Sequence, residues 1–345
     1  MNKSKRNDYA CIMRFHGKVE NGGKMKLKKF AAAALSAAMT LSLLTGCGSK
    51  EASSEGGDYN IGIIQLTEHV ALDAANKGFV EGLKEEGINA NIDQKNAQSD
   101  QSALDTIATK FVNDKKDLVL AIATPAAQAV AGKTKDIPIV ITAVTDAEEA
   151  GLVKSNDKPD TNVTGTSDLN PVKEQIELLV KLLPEAKTVG ILYCSAEDNS
   201  LFQAEIAKKE IEAKGLKHKV YTVSNSNEIQ TVVESMAGDV DVIYAPTDNM
   251  IAAGMATVSM VATDNKIPCI VGESGMVDNG GLATYGIDYY NLGKMTAKMA
   301  AKILKGEAKP EDMPIEYLEA SECKLSVNKE IAEKLEIDLS VLDEN

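Results

Sequence analysis

The sequence predicts an α/β fold made of two Rossmann-like lobes, each a doubly wound parallel sheet. Short runs rich in Val, Ile and Leu alternate with segments whose apolar residues have helical spacing. Strict alternation of strand and helix is typical of parallel sheets that are covered by helices on both faces. The alternation breaks once, in a polar stretch between Thr145 and Pro171. This break predicts a boundary between two similar lobes.

The individual elements follow from these runs and spacings. Eight apolar, β-branched runs predict strands at 61–66, 88–92, 118–122, 139–142, 188–193, 219–223, 240–244 and 269–271. Seven amphipathic segments predict helices at 71–86, 102–115, 171–183, 201–214, 228–236, 250–263 and 291–305.

Three crossings of the chain between the lobes are expected. Pro171 opens a new helix after the polar stretch, and a second change of lobe is expected near 286–290. A third is expected near 313–317, because the last long helix is followed by Gly306, Pro310 and Pro314. Lobe 1 is therefore predicted at 59–164 and 288–314, and lobe 2 at 165–287 and 315–345.

The N-terminal segment has the pattern of an export signal. Residues 25–29 are basic and 30–44 are apolar, which is typical of a secretory signal peptide (25–46) and too short to span a bilayer. The ending Leu44-Thr-Gly-Cys47 resembles a bacterial lipobox, which implies cleavage before Cys47 and lipid attached to its thiol. The alternative is a chance cysteine after an ordinary signal peptide.

The segments on either side of this signal are interpreted separately. Residues 1–24 do not fit a signal peptide and are interpreted as an upstream extension, either an earlier start codon or a non-native addition. Residues 47–58 are polar and rich in Gly and Ser, which predicts a flexible tether between the lipid and the fold.

Charge excludes several classes of partner. Nine of the 37 Lys and Arg and two of the 51 Asp and Glu precede Cys47, so the remaining chain has a net charge of −21. Nucleic acid and anionic lipid surfaces are therefore poor partners. The cysteines after Cys47 are Cys194, Cys269 and Cys323, whose number and wide spacing favour neither a disulfide framework nor a metal site.

Motifs of enzymes are absent from the sequence. It has no Walker A loop, no GxGxxG after a strand, no HExxH and no GxSxG. Only His69 and His218 follow Cys47, so a His-based triad has few candidates. We therefore expect a protein that is not an enzyme and needs no cofactor or metal.

The segment Thr124-Pro-Ala-Ala127 predicts an anion site. Ligands of open parallel sheets bind outside the carboxyl ends of the strands, and Thr124 lies at such an end. Thr at the N-cap and Pro at the first helical position predict a helix start. The free N–H groups of Ala126 and Ala127 and the helix dipole would then bind a carboxylate. The alternative is a helix cap without a ligand.

A second turn predicts the opposite pole. The strand at 240–244 ends in Ala-Pro-Thr-Asp248-Asn249, which would face the same cleft if the lobes pair. Asp248 could bind a cation or only cap its own helix. An anion site and a cation site together favour an α-amino acid as ligand. Polar groups also follow other strands, at 66–69, 195–200, 271–274 and 286–288.

Five segments together resemble a known family. IGIIQLTEHVALDAANKGFVEGL (61–83), ATPAAQA (123–129), VGILYCSAEDNS (189–200), APTDNMIAAG (245–254) and YGIDYYNLGKMTAKMAAKIL (285–304) are similar to the ABC-transporter substrate-binding proteins of the tryptophan/tyrosine type. The resemblance covers residues 59 to about 339. It implies a type I periplasmic-binding-protein fold, whose two lobes close on a ligand by hinge motion.

The resemblance also implies roles for individual residues. Thr124 and Ala126 would bind the ligand carboxylate, and Asp248 and Asn249 its ammonium end. The remaining cleft residues would be Gln65, Glu68, Glu197, Asn199 and Asp288. One departure is Val70, which stands where the family often has proline.

The implied ligand is an amino acid, and the relatives favour an aromatic one. Phe79, Tyr193, Tyr285 or Tyr289 could stack on its ring, or could be core residues. The implied protein is a monomer anchored through Cys47 to the extracytoplasmic face of the cell membrane, where it delivers the ligand to an ABC permease. Alternatives on the same fold are a receptor for a sugar, nucleoside or autoinducer, a sensor, or an enzyme.

Overall fold

The computed structural model describes residues 57–318 and 322–342 and confirms the α/β fold of two sheet-based lobes. Twelve strands are described: β1 (Tyr59–Gln65), β2 (Ala90–Asn96), β3 (Leu118–Ile122), β4 (Ile139–Val144), β5 (Val163–Ser167), β6 (Thr188–Cys194), β7 (Lys217–Val223), β8 (Val242–Ala245), β9 (Cys269–Val271), β10 (Ala283–Gly286), β11 (Glu316–Tyr317) and β12 (Lys324–Val327).

Eleven α-helices alternate with these strands: α1 (Val70–Glu85), α2 (Gln101–Asn113), α3 (Thr124–Ala131), α4 (Val172–Leu182), α5 (Asp198–Ala213), α6 (Ile229–Ser235), α7 (Asn249–Ala253), α8 (Met255–Asp264), α9 (Ser274–Asp278), α10 (Tyr289–Leu304) and α11 (Lys329–Lys334). None of these helices is long and apolar enough to cross a membrane.

The strands form two six-stranded sheets. The first has the order β11-β5-β4-β3-β1-β2 and the second β12-β10-β9-β8-β6-β7. All pairs are parallel except β10 with β12, which is antiparallel. Because parallel strands end at one edge of a sheet, the loops after β1, β3, β4 and β5 lie together, as do those after β6, β8 and β9.

Alternating side chains cover both faces of the second sheet. In β8, Val242 and Tyr244 belong to one apolar cluster, with residues of α4 and α5, whereas Ile243 and Ala245 belong to another, with residues of α6 and α8. This is the period of two that a strand imposes. In the first sheet, β3 and β4 are buried along their whole lengths, which explains their continuous apolar sequences.

The chain passes between the sheets three times. The crossings lie between β5 and α4, between β10 and α10, and between β11 and β12. The first lies after Ser167 rather than at 164/165, because all of β5 pairs with β4. The third lies after Tyr317 rather than at 314/315, because β11 pairs with β5 of the first sheet.

Helix α10 joins the first lobe through close backbone contact with α1. A Cβ atom on Gly78 would clash with the backbone carbonyl of Tyr290, and one on Gly293 with that of Ala75. Glycine at both positions lets the two helices approach until their backbones touch. The first lobe is therefore completed by a helix that follows the main strands of the second.

Several elements differ from the sequence prediction. The helix expected at 250–263 is two helices, α7 and α8, which meet at Gly254. Four strands, β5, β10, β11 and β12, were not predicted. Strand β5 has the sequence VTGTS, and its buried threonines pair with partners inside the fold instead of providing an apolar run.

Candidate functional site: the cleft between the lobes

In the part of the chain that the structure describes, three hydrogen bonds join the two lobes across the cleft. They are His69 Nε2 to Asn249 Oδ1 (3.2 Å), Gln128 Nε2 to Asp198 Oδ2 (2.9 Å) and Gln203 Nε2 to Thr145 Oγ1 (3.3 Å). In each pair one residue belongs to the first lobe and the other to α5 or α7 of the second. The two lobes are therefore in direct contact around the ends of their strands.

The prediction that Thr124 is the N-cap of a helix is wrong by one residue. Ala123, not Thr124, is the N-cap of α3, and Pro125 occupies the second helical position. Ala123 has φ of 81° and ψ of 153°, a combination that glycine alone adopts readily. Such strain, about 1–3 kcal/mol, persists where surrounding structure enforces it and is frequent at binding sites.

This conformation leaves polar groups free at the start of α3. The Ala127 N–H, expected to be free, donates to the Ala123 carbonyl (3.1 Å), whereas the described chain provides no acceptor for the Ala126 N–H. Thr124 is 1% exposed, and its Oγ1 has no hydrogen-bond partner among the described residues. A buried hydroxyl and a helix N-terminus therefore face the cleft together.

Asn199 contributes a matching group from the second lobe. Its Nδ2 donates to the Thr247 carbonyl (3.2 Å), but its buried Oδ1 has no partner in the part of the chain that the structure describes. Thr124 and Asn199 both line a cavity of about 410 Å³, within the usual range for small-molecule sites. Phe202 and Leu201 contribute apolar surface to this cavity.

The remaining lining of this cavity is acidic. It includes Asp146, Glu149, Asp198 and Glu205, and no Lys, Arg or His. Apart from the start of α3, the cavity therefore favours cationic groups and hydrogen-bond donors.

Asp248 is bonded mainly within its own lobe. Its Oδ1 accepts from the Ile251 N–H (2.7 Å), which caps α7, and its Oδ2 accepts from the Cys194 N–H at the end of β6 (2.6 Å). Burial raises the pKa of Asp248 above its ordinary value. The carboxylate thus holds the strand end and the helix start together, which corresponds to the capping alternative for this residue.

Glu197 and Asn249 lie beside Asp248. Glu197 accepts from the Asn249 side chain (2.5 Å) and from the backbone N–H groups of Asn249 and Met250. Burial, and then the neighbouring Asp248, raise the pKa of Glu197. Asn249 in turn accepts from His69, whose pKa is lowered by burial and whose Nδ1 has no partner among the described residues.

The structure also places Asp168, which the sequence analysis did not identify, at the base of the cleft. Its carboxylate accepts from Thr145 Oγ1 (3.2 Å) and from the Tyr289 hydroxyl (2.8 Å). Burial raises the pKa of Asp168 to about 6. Asn170 bonds the same Tyr289 hydroxyl and the Ile287 N–H, so the first and second crossings are linked at this point.

Glu273 is a further buried carboxyl near the cleft. It accepts from the N–H groups of Gly275 (2.5 Å) and Met276 (2.8 Å) and so caps α9. Burial raises its pKa to about 7.

Three predicted site residues lie outside this group. Gln65 is buried and donates to Asp73 (2.6 Å), and with exposed Glu68 it lines a groove on the first lobe. Asp288 caps α10 by accepting from the Asn291 N–H (3.1 Å), and it faces a separate cavity at the second crossing. Cys47 lies outside the described residues.

Three of the four aromatic candidates are buried core residues. Phe79 and Tyr289 belong to the apolar cluster of the first lobe, Tyr193 belongs to one of the second lobe, and Tyr285 packs against the latter. Tyr289 reaches the cleft through its hydroxyl. Phe202 was not identified because a single aromatic in an amphipathic helix has no sequence feature that separates it from core. Within residues 57–318 and 322–342, no group of His, Cys, Asp or Glu could hold a metal ion.

Comparison with known proteins agrees with this architecture. The family model of ABC transporter substrate-binding proteins matches residues 60–342. A tyrosine-binding protein of Clostridioides difficile is 41% identical over 333 residues, covering 91% of this chain and 94% of that protein.

Two solved structures are similar at nearly equal sequence identity. The L-Trp complex of a Streptococcus pneumoniae ABC domain has 43% identity and a TM-score of 0.80, and the match covers 83% of this chain and 98% of that one. A ligand-free, open substrate-binding protein from Clostridium difficile has 46% identity and a TM-score of 0.62, covering 81% and 95%. At similar sequence identity, this chain is therefore more similar in structure to the L-Trp complex than to the ligand-free, open structure. By its sequence, its fold and its paired lobes, the chain belongs to the family of ABC transporter substrate-binding proteins.

Proposed function

We propose that this protein is an extracytoplasmic binding lipoprotein that captures an aromatic amino acid, tyrosine or tryptophan, and delivers it to an ABC permease. The observation that carries the proposal is a pair of buried polar atoms, Thr124 Oγ1 and Asn199 Oδ1, which line one cavity from different lobes and have no hydrogen-bond partner among the described residues. Buried polar atoms normally have partners, and a polar ligand between the lobes would supply them.

The start of α3 is suited to the ligand carboxylate. Thr124 Oγ1 can donate a hydrogen bond, the Ala126 N–H is available, and the eight residues of α3 direct the positive end of their dipole toward the cleft. A carboxylate at this position would satisfy groups that are otherwise buried without partners.

The rest of the cleft is suited to an ammonium group. The sequence favours Asp248 and Asn249 for this group, with Glu197 beside them, whereas the described backbone bonds of Asp248 lie within its own lobe. The predicted lining roles of Gln65, Glu68 and Asp288 require these side chains to turn toward the ligand. Phe202 and Leu201 provide the apolar contact that an aromatic side chain would use.

Relatives support the same ligand class. The similar protein of Clostridioides difficile is named a tyrosine-binding protein, and the similar Streptococcus pneumoniae structure contains L-Trp. Both are more than 40% identical to this chain. The family consists of binding proteins rather than enzymes, and we propose that this chain binds without catalysis, as a monomer and without a cofactor.

The test is the thermal stability of residues 50–345 against the amino acids one at a time. A ligand at about 100 times its Kd stabilises by about 2.7 kcal/mol, which raises Tm by several degrees. We expect a shift with Tyr or Trp and none with Lys or Asp. If no amino acid shifts Tm, the proposal is wrong, and sugars and nucleosides become the ligands to test.

The proposed anchor has its own test. Cys47→Ala in the full chain removes the thiol that would carry the lipid, so the protein should move from the membrane fraction to the soluble fraction. Cys323→Ala is the control and should remain with the membrane. A Cys47→Ala protein that still sediments with membranes would contradict the lipoprotein assignment.

A further inference from the structure

We propose that Asp168 at the first hinge crossing binds the ligand's ammonium group, and that Asp248 acts only within the second lobe. This inference rests on the proposed function, because it concerns the same amino-acid ligand. It replaces the residue that the sequence favours for the cationic pole.

The position of Asp168 matches the size of an α-amino acid. Asp168 directly follows β5, and Thr124 follows β3 after one residue, with β4 between these strands. Neighbouring strands lie about 4.8 Å apart, so the two strand ends are about 10 Å apart. A carboxylate and an ammonium on one carbon, with a hydrogen bond of about 2.8 Å at each end, reach about 8–9 Å.

The carboxylate of Asp168 also has unused capacity. A carboxylate has about four acceptor sites, and the side-chain donors to Asp168 are two hydroxyls, those of Thr145 and Tyr289. No described Lys, Arg or His forms an ion pair with it, although it is 2% exposed. Buried carboxylates are normally paired with a cation. An ammonium group would supply the missing charge.

Asp248 differs from Asp168 because backbone N–H groups already bond both of its oxygens. Each of its two oxygens accepts a short backbone hydrogen bond, from Cys194 and from Ile251, and it lies at the start of α7. Its negative charge is therefore already stabilised by the second lobe alone. Removing it should weaken the fold of that lobe more than it weakens ligand contact.

Asn199 is connected to Asp168 through the side chains of Gln203 and Thr145. Gln203 Nε2 donates to Thr145 Oγ1 (3.3 Å) and to the Asn199 carbonyl (3.2 Å), which brings Asn199 close to the residue that bonds Asp168. The Asn199 Oδ1 acceptor is buried and without a partner in the described chain. Asp168 and Asn199 Oδ1 together would receive two of the three ammonium N–H bonds.

The test compares a ligand with and without its amine. The affinities of L-tyrosine and of 3-(4-hydroxyphenyl)propanoate are measured by calorimetry for wild type, Asp168→Asn and Asp248→Asn. Asp168→Asn should lower L-tyrosine affinity about 30-fold or more, as expected for loss of a buried charge pair, and leave the propanoate affinity unchanged. Asp248→Asn should lower Tm but change L-tyrosine affinity less than threefold.

The possible outcomes separate this inference from the proposed function. If wild type binds no amino acid, the proposed function fails. If wild type binds L-tyrosine but Asp168→Asn binds it equally well, or loses both ligands by the same factor, the Asp168 assignment alone is wrong. If Asp168→Asn does not fold, a crystal structure of the wild-type complex decides: an ammonium nitrogen farther than about 3.2 Å from both Asp168 oxygens overturns the assignment.

Discussion

Replacing Thr124 by valine should separate binding from stability. Valine keeps the shape of threonine and replaces the hydroxyl by a methyl group; the hydroxyl oxygen is buried and has no partner among the described residues. The ligand-free fold therefore loses no hydrogen bond in this variant. If the hydroxyl donates to a bound carboxylate, the complex loses one.

The expected changes in stability and in affinity follow from the ligand-free protein and from the complex, respectively. A buried polar group without a partner costs about 1–3 kcal/mol, so Thr124→Val should leave the unfolding free energy unchanged or raise it by up to that amount. A hydrogen bond to a charged group contributes about 1.5–3 kcal/mol, so the affinity for the amino acid should fall about 10- to 150-fold.

Urea unfolding of the free protein and calorimetry with L-tyrosine and L-tryptophan measure the two effects. Thr164→Val is the matched control, because Thr164 Oγ1 is buried and donates to the Met313 carbonyl (2.8 Å) away from the cleft. Thr164→Val should lower the unfolding free energy by about 1–3 kcal/mol, and the folded variant should bind the ligand with unchanged affinity. Unchanged affinity of Thr124→Val, or a loss of stability as large as the control's, would refute the reasoning.

Three further predictions concern the packing, the buried carboxyls and the contacts between lobes. Gly78→Ala should lower the unfolding free energy, measured in urea, by more than about 2 kcal/mol, because the new Cβ would clash with a carbonyl of α10. Gly87→Ala is the control: its Cβ meets no neighbour, and it should lower the unfolding free energy by only about 1 kcal/mol. Equal losses in the two variants would contradict the contact between α1 and α10. The pKa values of Asp168 and Glu273 are raised to about 6 and about 7. The folded state therefore binds more protons than the unfolded state between about pH 4 and pH 7. The unfolding free energy of the ligand-free protein should then decrease as pH rises from about 5 to about 8. An increase in unfolding free energy over this interval would contradict the raised pKa values of these two carboxyls. Gln128→Ala should lower ligand affinity about two- to tenfold, because its hydrogen bond to Asp198 between the lobes is lost in the ligand-bound state. The Tm of the ligand-free form should fall only slightly, through loss of the bond to the Ala150 carbonyl. Gln230→Ala, which removes a bond within one helix, is the control.

Patterns of apolar residues predicted the fold because they report burial directly. The continuous runs of β3 and β4 are buried along their lengths, and alternation with helices indicated parallel sheets. Strand β5 was missed because its threonines are buried with hydrogen-bond partners, and a polar sequence that is satisfied internally looks like a loop. The first crossing was displaced by a few residues for the same reason, and the third because the two-residue strand β11 has no apolar run.

Part of the candidate site was also predictable. Strand-end position identified Thr124, Asp248 and Asn249, and the family resemblance added Glu197 and Asn199. These residues lie at the starts of α3, α5 and α7 beside the cleft. The sequence could not show that the Cys194 N–H also bonds Asp248, because the two residues are 54 positions apart. It could not show either that Glu197 is bonded by the N–H groups of Asn249 and Met250, which are 52 and 53 positions away.

Other features needed three-dimensional information. The bond between Gln203 and Thr145 joins residues 58 positions apart. The positive φ of Ala123 is not encoded by a glycine, so no residue type indicates it. Both result from tertiary contacts that override local preference.

The contact between α1 and α10 has a consequence for biosynthesis. Helix α1 ends at Glu85 and α10 begins at Tyr289, so about 200 residues must be made before the two can meet. At about 5–20 residues per second this takes about 10–40 s. Strands β6 to β10 of the second sheet are contiguous and complete before α10 is made. For a chain that is exported N-terminus first, we therefore expect the second lobe to gain structure while the first lobe still exposes the glycine-containing face of α1.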